Sequence, residues 1–334
     1  MFKLAFNPRN LREDFPANVE NSEQLKFLLN CAVLDPLSHS TPPWNFKVVN
    51  DAIELYADKT GALPIADLDY RELIISCGTA LFNLRIAIRH FGYRDVVDLL
   101  PEQNNRNLLA RISLGSKRIA QLEENLLFRA IFKRCTSNQD FDDCLLPSSL
   151  VSELESATCS EGSWLQIMTK VIPKTDYEAV INLIADGDRL NQAEHSWHHK
   201  LAQWIQLDHD YSLDGIPPQT REMNQNLDVI APLISRTNPS FTFAQSQSTD
   251  CPLLSPASVL MLISSKDDNP QAWIETGEAL AHLLYRAKLD NVWASFLNQP
   301  IQVPHLRSRL QRLFPEHGYP QIMLRLGYAK QEDG

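Results

Sequence analysis

The chain has 334 residues, 44% of them hydrophobic and 22% charged, and carries a net charge of −10 at neutral pH. That composition is ordinary for a folded protein and leaves room for two domains or one large one. The negative balance argues against nonspecific binding to nucleic acid or to an anionic membrane, but not against a small anion held in a local basic pocket. Cys31, Cys77, Cys135, Cys144, Cys159 and Cys251 show no paired spacing, so most are expected as reduced, partly buried thiols. The first residues lack the apolar core of a signal peptide, and no apolar run approaches the ~18 residues of a membrane helix. The expected location is the cytoplasm.

Residues 1–20 read as a polar arm broken by Pro8 and Pro16. Ser22 is placed to cap a helix whose stripe runs through Leu25, Phe27, Leu28, Leu29, Ala32 and Val33, ending at Pro36. A hydroxyl- and proline-rich loop leads to Trp44. Asn45–Val49 and Ala52–Tyr56 then read as a hairpin turning at Asn50-Asp51, although Ala52 stands where glycine is preferred. Tyr70–Phe91 has helical spacing, with Gly92 at its end, and Asp95–Leu100 and Leu108–Leu114 read as strands.

The pattern restarts at Gln121 with a helix to Lys133. The stretch Arg134–Phe141 follows it, offering a cation, two hydroxyls and an amide. It is either a plain helix exit or a cradle for an anionic group. Further expectations are a helix near Pro147–Ala157, a strand Trp164–Thr169, a helix opened by Thr175 and a polar helix Trp197–Ile205. Residues 208–250, with four prolines, read as a lid, a binding loop or disorder. Ser258–Ile263 is a buried strand, Pro270–Val292 a long helix, His305–Leu313 a shorter one and Pro320–Tyr328 a final strand. His195 and His198–His199 include an i, i+4 pair, yet the metalloprotease glutamate is absent; a polar helix without metal is expected, and Asp208–Asp210 is read as a turn.

Two distant stretches echo each other. Ile75, Gly78, Ala80 and Leu81 recur in spacing as Ile274, Gly277, Ala279 and Leu280, and each half closes on Leu-Gly, at Leu114-Gly115 and Leu326-Gly327. Chance likeness between amphipathic helices is one explanation. Internal duplication is the other, and it predicts one chain folded like a two-fold dimer with sites at the pseudo-interface.

Several motifs, in order, resemble the nitroreductase superfamily, and specifically its Acg-like branch of fused two-half proteins. In Leu34–Phe46, Pro36, His39, Pro43, Trp44 and Phe46 match a family A-P-S-x-H-N-x-Q-P-W-x-F segment. Glu54–Asp58, Leu63–Asp67, Arg71–Gly78, Asp214–Pro217, Gly277–Leu280 and Tyr319–Tyr328 complete the series, so that the resemblance spans about residues 21–330. It implies an α+β nitroreductase-like fold in two pseudo-repeats, 21–120 and 121–334, after the 1–20 arm, with a possible lid at 208–250. It also implies FMN as cofactor, NAD(P)H and a small organic electron acceptor as partners, and either a monomer acting as a pseudo-dimer or a dimer.

Within that resemblance, Arg134 and Thr136 match two positions of a phosphate-holding R-R-[ST]-x-R pattern, while Cys135 and Asn138 replace its other cations. Arg325 is similar to an arginine near the flavin phosphate. Ser38, His39, Ser40 and Trp44 belong to a loop lining the flavin from the other half, with Ser40 and Pro42 replacing Asn and Gln. Ser295–Pro300, including Leu297 and Gln299, resembles a loop beside the flavin ring; Leu289-Asp290 stands where Gly-Leu is usual. Two functions are compatible with these residues: an FMN-dependent NAD(P)H oxidoreductase reducing nitroaromatics, quinones or similar acceptors, or a non-catalytic descendant that sequesters flavin or serves in stress.

Overall fold

A computed structural model describes residues 15–16, 19–33, 43–59, 69–133, 136, 141–168, 174–193 and 259–330. Outside these lie most of the expected arm, Ser38, His39, Ser40, Arg134, Cys135, Asn138, the histidines at 195–199, the helix 197–205, Asp208–Asp210 and the stretch 208–250.

Helix α1 (Asn21–Val33) buries Leu25 and Leu28 completely. It starts before the expected cap Ser22, because the Glu20 carbonyl accepts the N–H groups of Glu23 and Gln24 at 3.1 and 3.3 Å. Strands β1 (Trp44–Val49) and β2 (Ala52–Ala57) form the expected hairpin, with Val49 facing Ala52. Asn50 turns it at φ 53°, a left-handed conformation that asparagine tolerates. Helix α2 (Arg71–His90), β3 (Tyr93–Leu99) and β4 (Leu108–Lys117) complete an antiparallel sheet of order β1-β2-β4-β3.

The second set repeats this plan. After α3 (Leu122–Ile131) and α4 (Ser148–Ser160) come β5 (Trp164–Met168), α5 (Lys174–Ala193), β6 (Val259–Ser265) and α6 (Pro270–Leu289). Then follow β7 (Val292–Phe296), α7 (Gln299–Gln302), α8 (Pro304–Leu313) and β8 (Tyr319–Tyr328). The sheet order is β5-β6-β8-β7, again wholly antiparallel, and a 20-residue helix again lies between the second and third strands. The architecture is α+β in two copies of one sheet topology.

Three further sequence expectations need correction. The helix from Pro270 ends at Leu289, not Val292, because Asn291 takes φ 57° and leaves the helical region. The residues beyond form β7, a strand not foreseen. Consequently Ser295–Pro300 is not one loop: it divides between β7, a two-residue connection and α7. The helix opened by Thr175 starts at Lys174, so Thr175 lies within it and not at its cap.

Helix α2 packs on the first sheet, α6 on the second, and the two helices cross each other. At the crossing a Cβ on Gly78 would stand 3.0 Å from the Gly277 Cα and run into the Ile274 carbonyl. A Cβ on Gly277 would stand 2.8 Å from the Gly78 Cα and run into the Ile75 carbonyl. The reciprocal pairing of 75 and 78 with 274 and 277 is what a local two-fold axis produces. The echoed motifs are the two sides of one contact.

Buried polar groups tie the copies together around that axis. The Tyr285 hydroxyl donates to Asn83 Oδ1 at 2.7 Å. Arg85 donates to Asp95 at 2.7 Å, to Glu161 at 3.2 Å and to Glu278 at 2.5 Å, and His282 Nδ1 lies 3.2 Å from Glu161. Burial opposes ionisation of Asp95, but hydrogen bonds from Arg89 and Arg85 hold its carboxyl below the usual range. For Glu278 burial prevails over Arg85 and raises the carboxyl to about 7.

The two sheets differ in cover. Strand β1 alternates half-buried and exposed residues, with Asn45, Lys47 and Val49 exposed on the outer face of the first sheet. Strand β6 is buried at every position. Its sheet carries a second core, in which Val180, Leu183 and Ile184 of α5, Ile301 of α7 and Leu306 and Leu310 of α8 cover Leu260, Leu262 and Met323. Cys77, Cys144 and Cys159 form no disulfide; Cys77 is buried, whereas Cys144 and Cys159 are exposed. No helix among the described residues is long and apolar enough to cross a membrane.

Candidate functional site

Side chains alternate along β8. Ile322, Leu324 and Leu326 enter the central core, while Met323 enters the core under α5, α7 and α8. Arg325 shares the parity of Met323 and therefore that face. It is 1% exposed, the largest fully buried side chain described, opposite Leu260 on one side and Ser295 on the other. Its guanidinium lies 4.7 Å from the centre of the Phe141 ring. Phe141 is fixed by a bridge to Ala329, and the Asp142 N–H donates to the Tyr328 carbonyl at 2.7 Å. Stacking on an aromatic face stabilises a desolvated guanidinium by about 2 kcal/mol. Arginine keeps its charge at any physiological pH.

Thr136, the described member of the expected phosphate cradle, is buried and bridged in parallel to Ala294 of β7. Ala294 pairs with Leu326, whose side chain points to the opposite face from Arg325. The bridge thus sets Thr136 two strand spacings from β8, roughly 10 Å, beside the sheet and not over the Arg325 face.

The connection after β7 continues the ladder. The Leu297 N–H donates to the Met323 carbonyl at 2.8 Å, and the Met323 N–H donates to Asn298 Oδ1 at 2.9 Å. Leu297 joins the outer core. Gln299, 8% exposed, sits at the start of α7 against α5, and its Oε1 has no partner among the described residues. The same holds for Nδ2 of Asn298, which is 4% exposed. Burial raises the carboxyl of Asp188 on α5 to about 6.

The first half reaches this region through the start of α2. Arg71 donates to the carbonyl of Gln321 at 2.7 Å and to its side chain at 3.1 Å. Glu72 pairs with Arg71 at 3.2 Å and accepts from Gln302 of α7 at 3.4 Å. Both halves therefore border the region of Gln299 and β8. Trp44 lies elsewhere, at the start of β1, where Pro43 accepts from the Cys77 thiol at 3.6 Å, beside the α2–α6 crossing. Its indole Nε1 is buried without a partner among the described residues.

Of the expected site residues, the structure brings Arg325, Leu297 and Gln299 onto one face, sets Thr136 beside the sheet and leaves Trp44 nearer the pseudo-axis. Asn298 and Phe141 join this region without having been foreseen. Gly187, a glycine within a helical pattern, was the available signal for a close approach on α5. No group of metal-binding residues occurs among the described residues.

Two relatives align with nearly the whole chain. A Mycobacterium tuberculosis protein named "Putative NAD(P)H nitroreductase Rv3131" is 24% identical over 327 residues, covering 96% of this chain and 89% of its own. Another from the same organism, "Putative NAD(P)H nitroreductase acg", is 20% identical over 321 residues, covering 95% and 92%. By name, both relatives are putative NAD(P)H nitroreductases, and one of them is acg. The chain matches no family model. Among solved structures, a nitroreductase with bound FMN from Bacteroides fragilis aligns with a TM-score of 0.37 and 13% identity, over 62% of this chain and 93% of that one. The resemblance to the Acg-like relatives spans both sheets, and so both copies of the repeat.

Proposed function

We propose that the chain is an FMN-dependent oxidoreductase that takes electrons from NAD(P)H and passes them to a nitroaromatic, a quinone or a similar small acceptor. The observation that carries this reading is the alignment of 96% of the chain with a relative named as an NAD(P)H nitroreductase. The donor set fits the cofactor. Arg325 is a buried, permanently cationic group suited to a phosphate. Gln299 and Asn298 present a buried acceptor and a buried donor suited to the polar edge of a flavin ring. When bound, FMN supplies hydride acceptance and onward electron transfer. The protein's part is to bind, orient and exclude water. In the resemblance, Arg134 and Thr136 add to the phosphate cradle, with Cys135 and Asn138 beside them, and Ser38, His39, Ser40 and Trp44 line the ring.

A second reading is favoured by the replacements at Ser40, Pro42, Cys135 and Asn138, which remove hydrogen-bonding and cationic groups: a flavin-binding protein without turnover. Absorption spectroscopy on the purified protein separates the two. A flavin spectrum bleached by NAD(P)H and restored by an acceptor is expected. Bound flavin that NAD(P)H does not bleach selects the second reading, and protein that takes up no FMN overturns the flavin assignment.

A further inference from the structure

Helix α7 is four residues long, and a helix that short has no stability of its own. Its orientation is set by what holds its two ends, which lie roughly 5 Å apart along the axis. At the near end Asn298 Oδ1 accepts from the Met323 N–H at 2.9 Å, and the Asn298 carbonyl accepts from the N–H groups of Ile301 and Gln302 at 2.8 and 3.0 Å. Along its side, a Cβ on Gly187 would stand 2.8 Å from the Gln299 Cβ, so α5 lies directly on the first residue of the helix. At the far end Gln302 Nε2 donates to Glu72 Oε2 at 3.4 Å.

Glu72 belongs to the other half of the chain. It is 1% exposed, and its second oxygen, Oε1, accepts from Arg71 at 3.2 Å. Arg71 is held in turn by the carbonyl and the side chain of Gln321, to which it donates at 2.7 and 3.1 Å. Gln321 is itself fixed, donating to Ser265 at 2.7 Å and to Asp268 at 3.0 Å and accepting from Arg307 at 3.1 Å. The carboxylate thus sits on a cation anchored to β8, with one oxygen turned to α7. A desolvated ion pair of this kind adds little net stability. What it fixes is geometry.

The two-fold plan supplies a comparison within the chain. At the corresponding positions of α6 stand Pro270 and Gln271, and Gln271 is exposed, donating to Glu275 of its own helix at 2.9 Å. The helix crossing therefore does not require a buried dyad at a helix start. Of the two starts, the one that carries it is the one beside α7, where Gln299 Oε1 and Asn298 Nδ2 are buried without a partner among the described residues.

We infer that Glu72 is a positioning residue: its carboxylate, presented by the first half, sets the far end of α7 through Gln302 and so directs the Asn298 and Gln299 amides at the near end. Glu72 acts through Gln302 and not by touching a bound group. This rests on the flavin reading, in which those two amides meet the polar edge of the ring.

The test is FMN titration of the full-length protein and its variants, read by flavin fluorescence and by the absorption maximum of the bound flavin. Gln302→Met keeps the length of the side chain and removes the donor. In Glu72→Gln the new amide oxygen goes to Arg71, which leaves an NH2 group against that of Gln302. Each is expected to weaken FMN binding about threefold, within the size of one net hydrogen bond, and to move the bound-flavin maximum in the same direction. Gln302→Glu alone opposes two carboxylates and completes the cycle. Glu72→Gln with Gln302→Glu restores the bond with donor and acceptor reversed and should bind within about twofold of wild type, where independent losses would multiply. Multiplied losses there, or an unchanged dissociation constant and an unmoved maximum in Gln302→Met, overturn the inference while the flavin reading stands. Gln302→Met changes a half-buried position and decides the question alone where Glu72→Gln does not fold. Wild-type protein that takes up no FMN overturns both, and that measurement comes first.

Discussion

Gly78 of α2 and Gly277 of α6 stand against each other at the pseudo-axis, each occupying space that a Cβ on the other would need. In an exposed helix, replacing glycine by alanine stabilises by about 1 kcal/mol. Here the sign reverses, because the added methyl meets backbone that cannot swing aside. Gly78→Ala or Gly277→Ala should each cost at least about 2 kcal/mol, the usual penalty of overpacking. A thermal melt that rises or stays level in either variant would contradict the crossing.

The network beside the crossing predicts a pH dependence. Burial raises the Glu278 carboxyl to about 7, above its ordinary value of 4.5. The folded state therefore holds this proton more tightly than the unfolded state. Its contribution is full below 4.5 and is lost as pH rises through about 7. Glu278→Gln removes that titration. Urea unfolding should show the variant gaining on wild type between about pH 5 and pH 8; a difference that stays constant across that range rules the assignment out.

Asp268 behaves in the opposite sense. Burial opposes its ionisation, but donors on Arg307, Gln321 and Trp273 hold its carboxyl at about 2, below the ordinary 3.8. Its contribution is present above 3.8 and disappears as pH falls through about 2. Asp268→Ala would strand the Trp273 indole N–H, which donates to Asp268 at 2.8 Å, together with the Arg307 guanidinium. A loss of about 3 kcal/mol is expected, accompanied by a change in tryptophan fluorescence. An unaltered melting temperature and emission spectrum would show that the carboxylate is dispensable.

Arg325→Lys keeps a charge but loses the planar group that lies on Phe141. It should weaken FMN binding about tenfold or more, with the circular dichroism spectrum unchanged. Arg134→Ala is expected to weaken it several-fold. Equal affinity in Arg134→Ala and wild type would move the phosphate away from residue 134.

The paired motifs at Ile75–Leu81 and Ile274–Leu280 made the two-fold plan legible before any coordinates, because helical spacing and small residues at matching positions are local properties. The continuous apolar run in β6 likewise announces a strand buried on both faces, in contrast to the alternation in β1. Strand β7 is hidden in the sequence because Val292–Phe296 is short and follows a long helix whose periodicity runs on into it. The stop is a single asparagine at φ 57°. Arg325 and Gln299 were recognisable from motif position. The docking of α5 on α7 was not, since Gly187 announces a close approach without recording what the other helix brings.

The outer face of the first sheet, exposed along β1, and the helix-covered face of the second are the same surface in the two copies of the plan. In a homodimer any substitution there would appear on both subunits at once, and a change helpful on one side would have to be tolerable on the other. Covalent fusion removes that coupling. Each codon of this chain acts once, so the two copies of the plan are free to differ in cover, as β1 and β6 do, while Gly78 and Gly277 still answer to each other across the axis.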